Sequence, residues 1–359
     1  RLLRFNRVEG LYTGLAPGVD FRSAVPGLSA SAWAGWAWSE ETARGGAAVS
    51  YRREQDTYGA RAERALVSTN DFTPPFGDDP GLAAFLSNID NYDYVDRRSA
   101  TLSFTHLVGS VDEGLVTVQF GPARDAAETS RLSHGLFPGG LKFLANRGAA
   151  TGSYALGVAD LELHPNVNGD FVEPGVGMRA HYEVGSGNLN WQRVELRLSA
   201  RKYVGPISLA ARADGGIVLG DSPPPQTLFE LGGNEALPGY SYKQFAGDRA
   251  ALFRTFASYR FHIWERPRHF WRRLYLPGVN PGLALSAQGG WSELSSLGAV
   301  NAARELVAGT SQVAEPTHGM RATVGGGITL FSDLLHFGIA RPVDRSAPWK
   351  FTGGFGASF

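Results

Sequence analysis

The sequence predicts an all-β chain folded as a transmembrane antiparallel β-barrel of about 16 strands. Three observations predict it. Period-two alternation of apolar and polar residues recurs along most of the 359 residues, with turn residues between the segments. The alternating segments run to about 10 to 13 residues, which suits a tilted membrane-spanning strand better than the five or six usual in globular sheets. Aromatic residues gather at segment ends (Trp36, Trp38, Trp191, Trp264, Trp271, Tyr275 and Trp291), as they do in the girdles of membrane barrels.

In chain order, strands are expected near 10–22, 27–39, 43–53, 56–68, 94–108, 112–122, 150–164, 174–186, 190–203 and 205–219. After a long loop they resume near 249–263, 281–292, 319–331, 334–342 and 348–359. In "RVELRLSARKYV", Val194, Leu196, Leu198 and Ala200 face one way, and Arg193, Glu195, Arg197 and Ser199 the other. Likewise Arg212 and Asp214 oppose Leu209, Ala211 and Ala213, Arg254 opposes Phe253, and Thr323 opposes Val324. Alternation alone also fits a soluble sandwich; strand length, aromatic placement and mixed charge on the polar faces decide for lipid. Arg193, Glu195, Arg197, Arg212, Asp214 and Arg254 read as lumenal charges that cross-link the wall, the functional alternative being a constriction that selects solutes. A bacterial barrel has an even number of strands, so a sixteenth is expected within 123–149. Two short helices, near 79–89 (Asp79 as N-cap, Pro80 in the first turn, Leu82, Phe85, Leu86 and Ile89 on one stripe) and near 299–309, are expected to cover a barrel end. With no internal repeat and no linker, residues 1–359 read as a single domain.

Composition removes several function classes. Lys plus Arg and Asp plus Glu each number 34, so no field favours nucleic acid as a partner. Cysteine is absent, which excludes disulfides, thiol catalysis and Cys-based metal sites. No apolar run is long enough for a membrane-spanning helix. The motifs H-E-x-x-H, G-x-S-x-G, G-x-x-x-x-G-K-S/T and G-x-G-x-x-G are missing, so no enzyme activity, catalytic residue, metal or cofactor is expected. His181 and His262 are expected to point inward, within a polar network. The chain begins at Arg1 with neither an initiator Met nor a leader pattern, and any signal peptide or upstream soluble domain is expected to lie outside it.

The stretch "FELGGNEALPGYSYKQFAGDRAALFRTFASYRF" (229–261) joins an irregular, glycine-rich half to a strictly alternating one. It resembles the sixth extracellular loop and following strand of the BamA-like superfamily of outer-membrane barrels, in which a Gly-Gly turn precedes a V-R-G-F or L-R-G-Y tetrapeptide and the loop folds back into the barrel; the resemblance implies one long extracellular loop turned into the lumen here too. Gly232, Gly233, Gly239, Tyr240, Tyr259, Arg260 and Phe261 match, and Pro238 stands where the family has its signature Arg. Five strands follow the loop, as in sixteen-stranded members. The order of "FNRVEGLYTGL", "NIDNYDYVDRR" and "GMRATVGGGITLFSDLLHFGIARPV" is similar to a Bacteroidetes-like branch of that superfamily. The C-terminal "TGGFGASF" resembles the assembly signal of such barrels, on Thr352, Gly354, Ala357 and Phe359.

The resemblance implies a Gram-negative outer membrane, with lipopolysaccharide and phospholipid as the surrounding partners. It also implies insertion or translocation of proteins at a weak seam between first and last strands, expected here between Gly10–Phe21 and Trp349–Phe359. The alternative is a structural or solute-transport barrel without that activity, and the missing upstream domains and Pro238 favour it. The basic stretch "WERPRHFWRRLYLPG" (264–278) falls at the periplasmic rim by hairpin parity. Trp264, Trp271, Arg272, Arg273 and Tyr275 read there as an interfacial anchor, or more sharply as a docking patch for a periplasmic or outer-membrane partner protein.

Overall fold

The computed structural model describes residues 3–69, 72, 81–137, 141–168, 173–233, 236–264, 266, 268–271, 274–276, 278–331, 333 and 335–355. The first half of the chain forms β1 (Leu3–Asn6), β2 (Gly10–Leu15), β3 (Gly18–Asp20), β4 (Leu28–Ala37), β5 (Thr42–Arg53), β6 (Asp56–Ser68), β7 (Tyr94–Leu107), β8 (Gly114–Ala127) and β9 (Gly152–Leu163). The second half forms β10 (Gly175–Gly187), β11 (Trp191–Val204), β12 (Ile207–Leu219), β13 (Phe229–Leu231), β14 (Phe245–Gly247), β15 (Arg249–Arg260), β16 (Arg268–Trp271) and β17 (Leu274–Leu276). It ends with β18 (Gly282–Glu293), β19 (Arg321–Leu330), β20 (Leu335–Pro342) and β21 (Lys350–Phe355). Apart from the small hairpins β13–β14 and β16–β17, these make one sheet of 17 strands in which each strand pairs antiparallel with its chain neighbours. Because β2 and β3 are two segments of one stave, both laid along β4 and interrupted at Ala16–Pro17, 17 less one gives 16 staves among the described residues.

The sixteenth stave is not in 123–149. The described part of 128–149 contains no strand, and β8 runs past its expected end at Phe120–Pro122 to Ala127. Pro122 lacks an N–H, but β9 pairs with β8 without a break from Gly114 to Asp125 on the other side and carries the strand through. The extra stave is β1, which folds onto β2 through Arg7–Glu9, where the Asn6 side-chain oxygen accepts the N–H groups of Val8 and Glu9 (3.0 and 2.8 Å). This alters the expected seam. Both sides of β2 are occupied, Thr13 facing Leu3 on one side and Trp36 on the other, while Gly354 faces His336. Among the described residues no ladder joins β21 to β1, β2 or β3.

The two faces of the sheet are inverted relative to a water-soluble protein. On one face Leu102, Phe120, Val176, Leu196, Leu198, Phe253, Leu283, Leu285 and Ile328 are exposed, Leu285 to 70%. On the other, Arg212, Asp214, Arg254, Ser258, Gln288, Thr323 and Thr329 are all 9% exposed or less. The long connections 69–93, 128–151, 220–248 and 294–320 all fall at one end of the sheet, here the loop end. Helix α1 (Gly81–Ser87) and helix α3 (Leu297–Leu306, capped by Ser296, which accepts the Ala299 N–H) lie on two of these connections, and a four-residue α2 (Pro165–Asn168) lies at the other end. In α1 the buried side is Ala84 with Phe85, which packs edge-on to Phe5 at 5.2 Å. Leu86 and Ile89, expected on the buried stripe, are exposed; Asp79 and Pro80 lie outside the described residues.

Candidate functional site

The polar face carries its charges in pairs. Arg193 bonds Glu195 (2.8 Å), and Arg197, Arg212 and Arg254 all converge on Asp214 (2.7, 3.0 and 2.7 Å). The β12–β15 register sets Arg212 beside Arg254, an unfavourable neighbour pair that Asp214 makes tolerable by accepting from both. All six predicted charges therefore lie on the polar face; the Asp214 cluster links β11, β12 and β15, while Arg193 and Glu195 pair within β11. His181 is there too, 2.9 Å from Asp160. His262 is exposed, because β15 ends at Arg260 and the alternation stops with it.

The segment 229–247 packs on this face. Phe229 sits over Gly216, where a Cβ would come within 2.2 Å of its ring; Arg193 stacks on it at 4.5 Å and Phe72 at 5.3 Å. Leu231, Leu237, Tyr240 and Phe245 are 3% exposed or less. The predicted glycines do what only glycine does readily: Gly232, Gly233 and Gly239 have φ of 123°, 101° and 101°. Gly239 is also pressed against β20, where a Cβ would lie 2.8 Å from Pro342 and 3.1 Å from the Arg341 Cα. Leu237 takes φ 58°, held by burial and by its N–H bond to the Gln288 side chain (2.8 Å).

Pro238 is buried and brings no charge; the cation of this segment is Lys243, which sequence reasoning missed. Lys243 lies 2.6 Å from Asp93 and 2.6 Å from Glu230. Asp93 also accepts from Arg7 (2.6 Å), the Arg147 backbone N–H (3.1 Å) and the Tyr242 hydroxyl (3.0 Å). Arg147 forms an ion pair with Glu230 (2.7 Å) and donates to the Lys243 carbonyl (2.8 Å), the Gln312 side chain (3.0 Å) and the Val313 carbonyl (3.0 Å). Five stretches of chain thus meet: the first hairpin through Arg7, the connection before β7, the connection before β9, the segment between β12 and β15, and the connection before β19 through Gln312 and Val313. Burial alone pushes the Asp93 carboxyl up, but Lys243 and Arg7 outweigh it and hold the group below the usual carboxylate range. Burial lowers Lys243, and Asp93 and Glu230 more than reverse this, so its ammonium is held above the usual range. One signal was legible: Lys243 is the only basic residue between Phe229 and Gly247.

At its other side the segment meets the last hairpin. The Tyr240 hydroxyl donates to Asp344, Lys350 donates to the Tyr240 carbonyl (3.3 Å), and Arg345 lies over the Tyr240 ring at 4.5 Å. Asp344 is also held by Arg321 (2.6 Å).

Other predicted residues do not join this site. Trp264 is half-buried at the opposite end of the sheet with φ 56°. Trp271 and Tyr275 belong to the β16–β17 hairpin there, and Arg272 and Arg273 lie outside the described residues. Thr352 pairs with Gly338 and Gly354 with His336, while Ala357 and Phe359 lie outside the described residues.

No protein-family model and no curated protein matches the chain. Among solved structures, BamA from Haemophilus ducreyi lacking POTRA domains 1–3 matches at a TM-score of 0.58 and 10% identity, over 98% of this chain and 69% of that one. CdiB from Acinetobacter baumannii matches at 0.45 and 11%, over 96% and 55%. The likeness to BamA, at that identity, is one of fold, carried by the large antiparallel sheet.

Proposed function

We propose that the chain is an outer-membrane β-barrel of 16 staves with segment 229–247 folded into its lumen, and that it inserts or translocates proteins at the seam between its first and last staves. The observation that carries the barrel is the inversion of burial: leucines and phenylalanines exposed on one face, arginines, aspartate and threonines enclosed on the other. Water would not tolerate so large an exposed apolar belt, whereas lipid requires it. Strands of 12 to 14 residues from β5 to β12 suit the thickness of a bilayer. Long connections at one end and mostly short turns at the other repeat the usual asymmetry of bacterial barrels, which puts the loop end outside the cell.

Activity at the seam is supported by the ends of the sheet. Among the described residues no ladder joins β1 to β21, so an incoming strand has two sheet edges to pair with. The alternative, a solute-conducting barrel, is opposed by the enclosed apolar side chains of 229–247, which occupy the polar face where a channel would run. Reconstitution in phospholipid vesicles tests the activity: the chain should speed assembly of an unfolded outer-membrane barrel client into a protease-resistant form. A rate equal to that of empty vesicles leaves a structural barrel in its place.

A further inference from the structure

We infer that segment 237–245 is a two-sided clasp across the first–last joint of the sheet, with a fixed half on the first hairpin and a releasable half on the last. The inference rests on the barrel reading, in which these two hairpins meet. Among the described residues no backbone ladder links β1, β2 or β3 to β21, yet a continuous polar path does. It starts at Arg7, in the turn between β1 and β2, and passes to Asp93 at 2.6 Å. Asp93 holds Lys243 (2.6 Å) and Tyr242 (3.0 Å). From there three residues of chain lead to Tyr240, which bonds Asp344 ahead of β21 and accepts from Lys350 at the start of β21.

The halves differ in burial, and that sets which one lets go. Around Asp93 the side chains of Arg7, Asp93 and Lys243 are 0%, 3% and 7% accessible, so each bond is shielded from water and separating them strands a charge. Around Tyr240 the Asp344 side chain is 22% accessible, and Arg345 and Lys350 are exposed. Water can replace those partners as they part. Gly239 fits the same role, since only a residue without Cβ allows the segment to lie against Arg341 and Pro342. Opening the joint therefore means swinging the last hairpin away from Tyr240, while the first hairpin stays tied to Lys243. The clasp lies at the loop end of the joint.

Amide hydrogen exchange on the full chain in vesicles of phosphatidylethanolamine and phosphatidylglycerol reads both halves at once. For Tyr240→Phe combined with Lys350→Met, exchange across 335–355 should rise roughly tenfold, the scale of losing one or two hydrogen bonds to partly exposed groups, while 3–15 stays as in the parent. Lys243→Met should raise exchange in both 3–15 and 335–355. The single change Tyr240→Phe keeps the ring against Phe245, so it serves if the double variant does not fold. Unchanged exchange at 335–355, or a rise spread equally over 191–219, overturns the clasp. Rapid exchange of 191–219 in the parent protein in vesicles would instead remove the barrel reading, and the clasp with it.

Discussion

Replacing Leu102 by Arg should destabilise the protein by about 2–4 kcal/mol, while Thr101→Arg, one residue away, should cost about 1 kcal/mol or less. The two lie at the centre of β7, which has 14 residues. At a rise of about 3.4 Å per residue and a tilt of about 45°, such a strand spans roughly 34 Å along the membrane normal. Leu102 is one and a half residues from its midpoint, and so about 4 Å from the midplane on the same geometry. Its side chain is 52% exposed on the face shared with Phe104 and Phe120, so an arginine there must shed its hydration into hydrocarbon or reach far along the wall. Thr101 points to the polar face, where its β6 partner Arg61 keeps 41% accessibility and is paired with Glu63 at 2.7 Å, so water and a carboxylate are at hand. Equilibrium unfolding in urea, in phospholipid vesicles, gives both differences. Equal costs at the two positions, or a larger one at Thr101, would refute the assignment of the apolar face to lipid. Thr323, which the alternation places on the polar face, is a poorer comparator than Thr101, because it is only 1% exposed and has no room for a long side chain.

Three further outcomes follow from the site. A cysteine at Ala246, which is fully buried, should react with a bulky impermeant maleimide at least about a hundredfold more slowly than one at Asn190 in the exposed β10–β11 turn; similar rates would put 229–247 outside the lumen. Arg147→Met leaves Glu230 without one of its two partners and frees Gln312 and Val313, so a loss of about 3–5 kcal/mol and faster proteolysis within 308–316 are expected; parent-like resistance would mean Arg147 does not hold that connection. The Asp93 carboxyl is depressed in the folded state, so its stabilisation is complete well above its unfolded value of about 3.9 and is lost as pH falls through that value towards the folded one. Lowering pH from 6 to about 3 should therefore lower the protection of amides in 237–245 and 3–15, measured relative to the intrinsic exchange rate at each pH, an effect that Asp93→Asn should remove.

The sequence by itself determined the strands and their faces. Alternation over 10 or more residues has one local backbone solution, a strand, so β4 to β7, β9 to β12, β15, β18 and β19 appear where the pattern puts them, with Arg193, Glu195, Arg197, Arg212, Asp214 and Arg254 all turned to one side. Glycines at 232, 233 and 239 were legible for the same local reason, a φ that other residues avoid. What failed to read were pairings decided by distant chain. β1 is too short for a periodic signal and exists because β2 offers it an edge; β8 passes Pro122 because β9 supports it. Pro238 brings no charge, and the buried cation of the segment is Lys243, whose partners Asp93 and Glu230 are 150 and 13 residues away in sequence, and whose charge is tolerable only where the fold brings those carboxylates to it. Local periodicity records which face a residue takes, since that depends on its own backbone. A buried ion network depends on which strands end side by side, and only the folded sheet decides that.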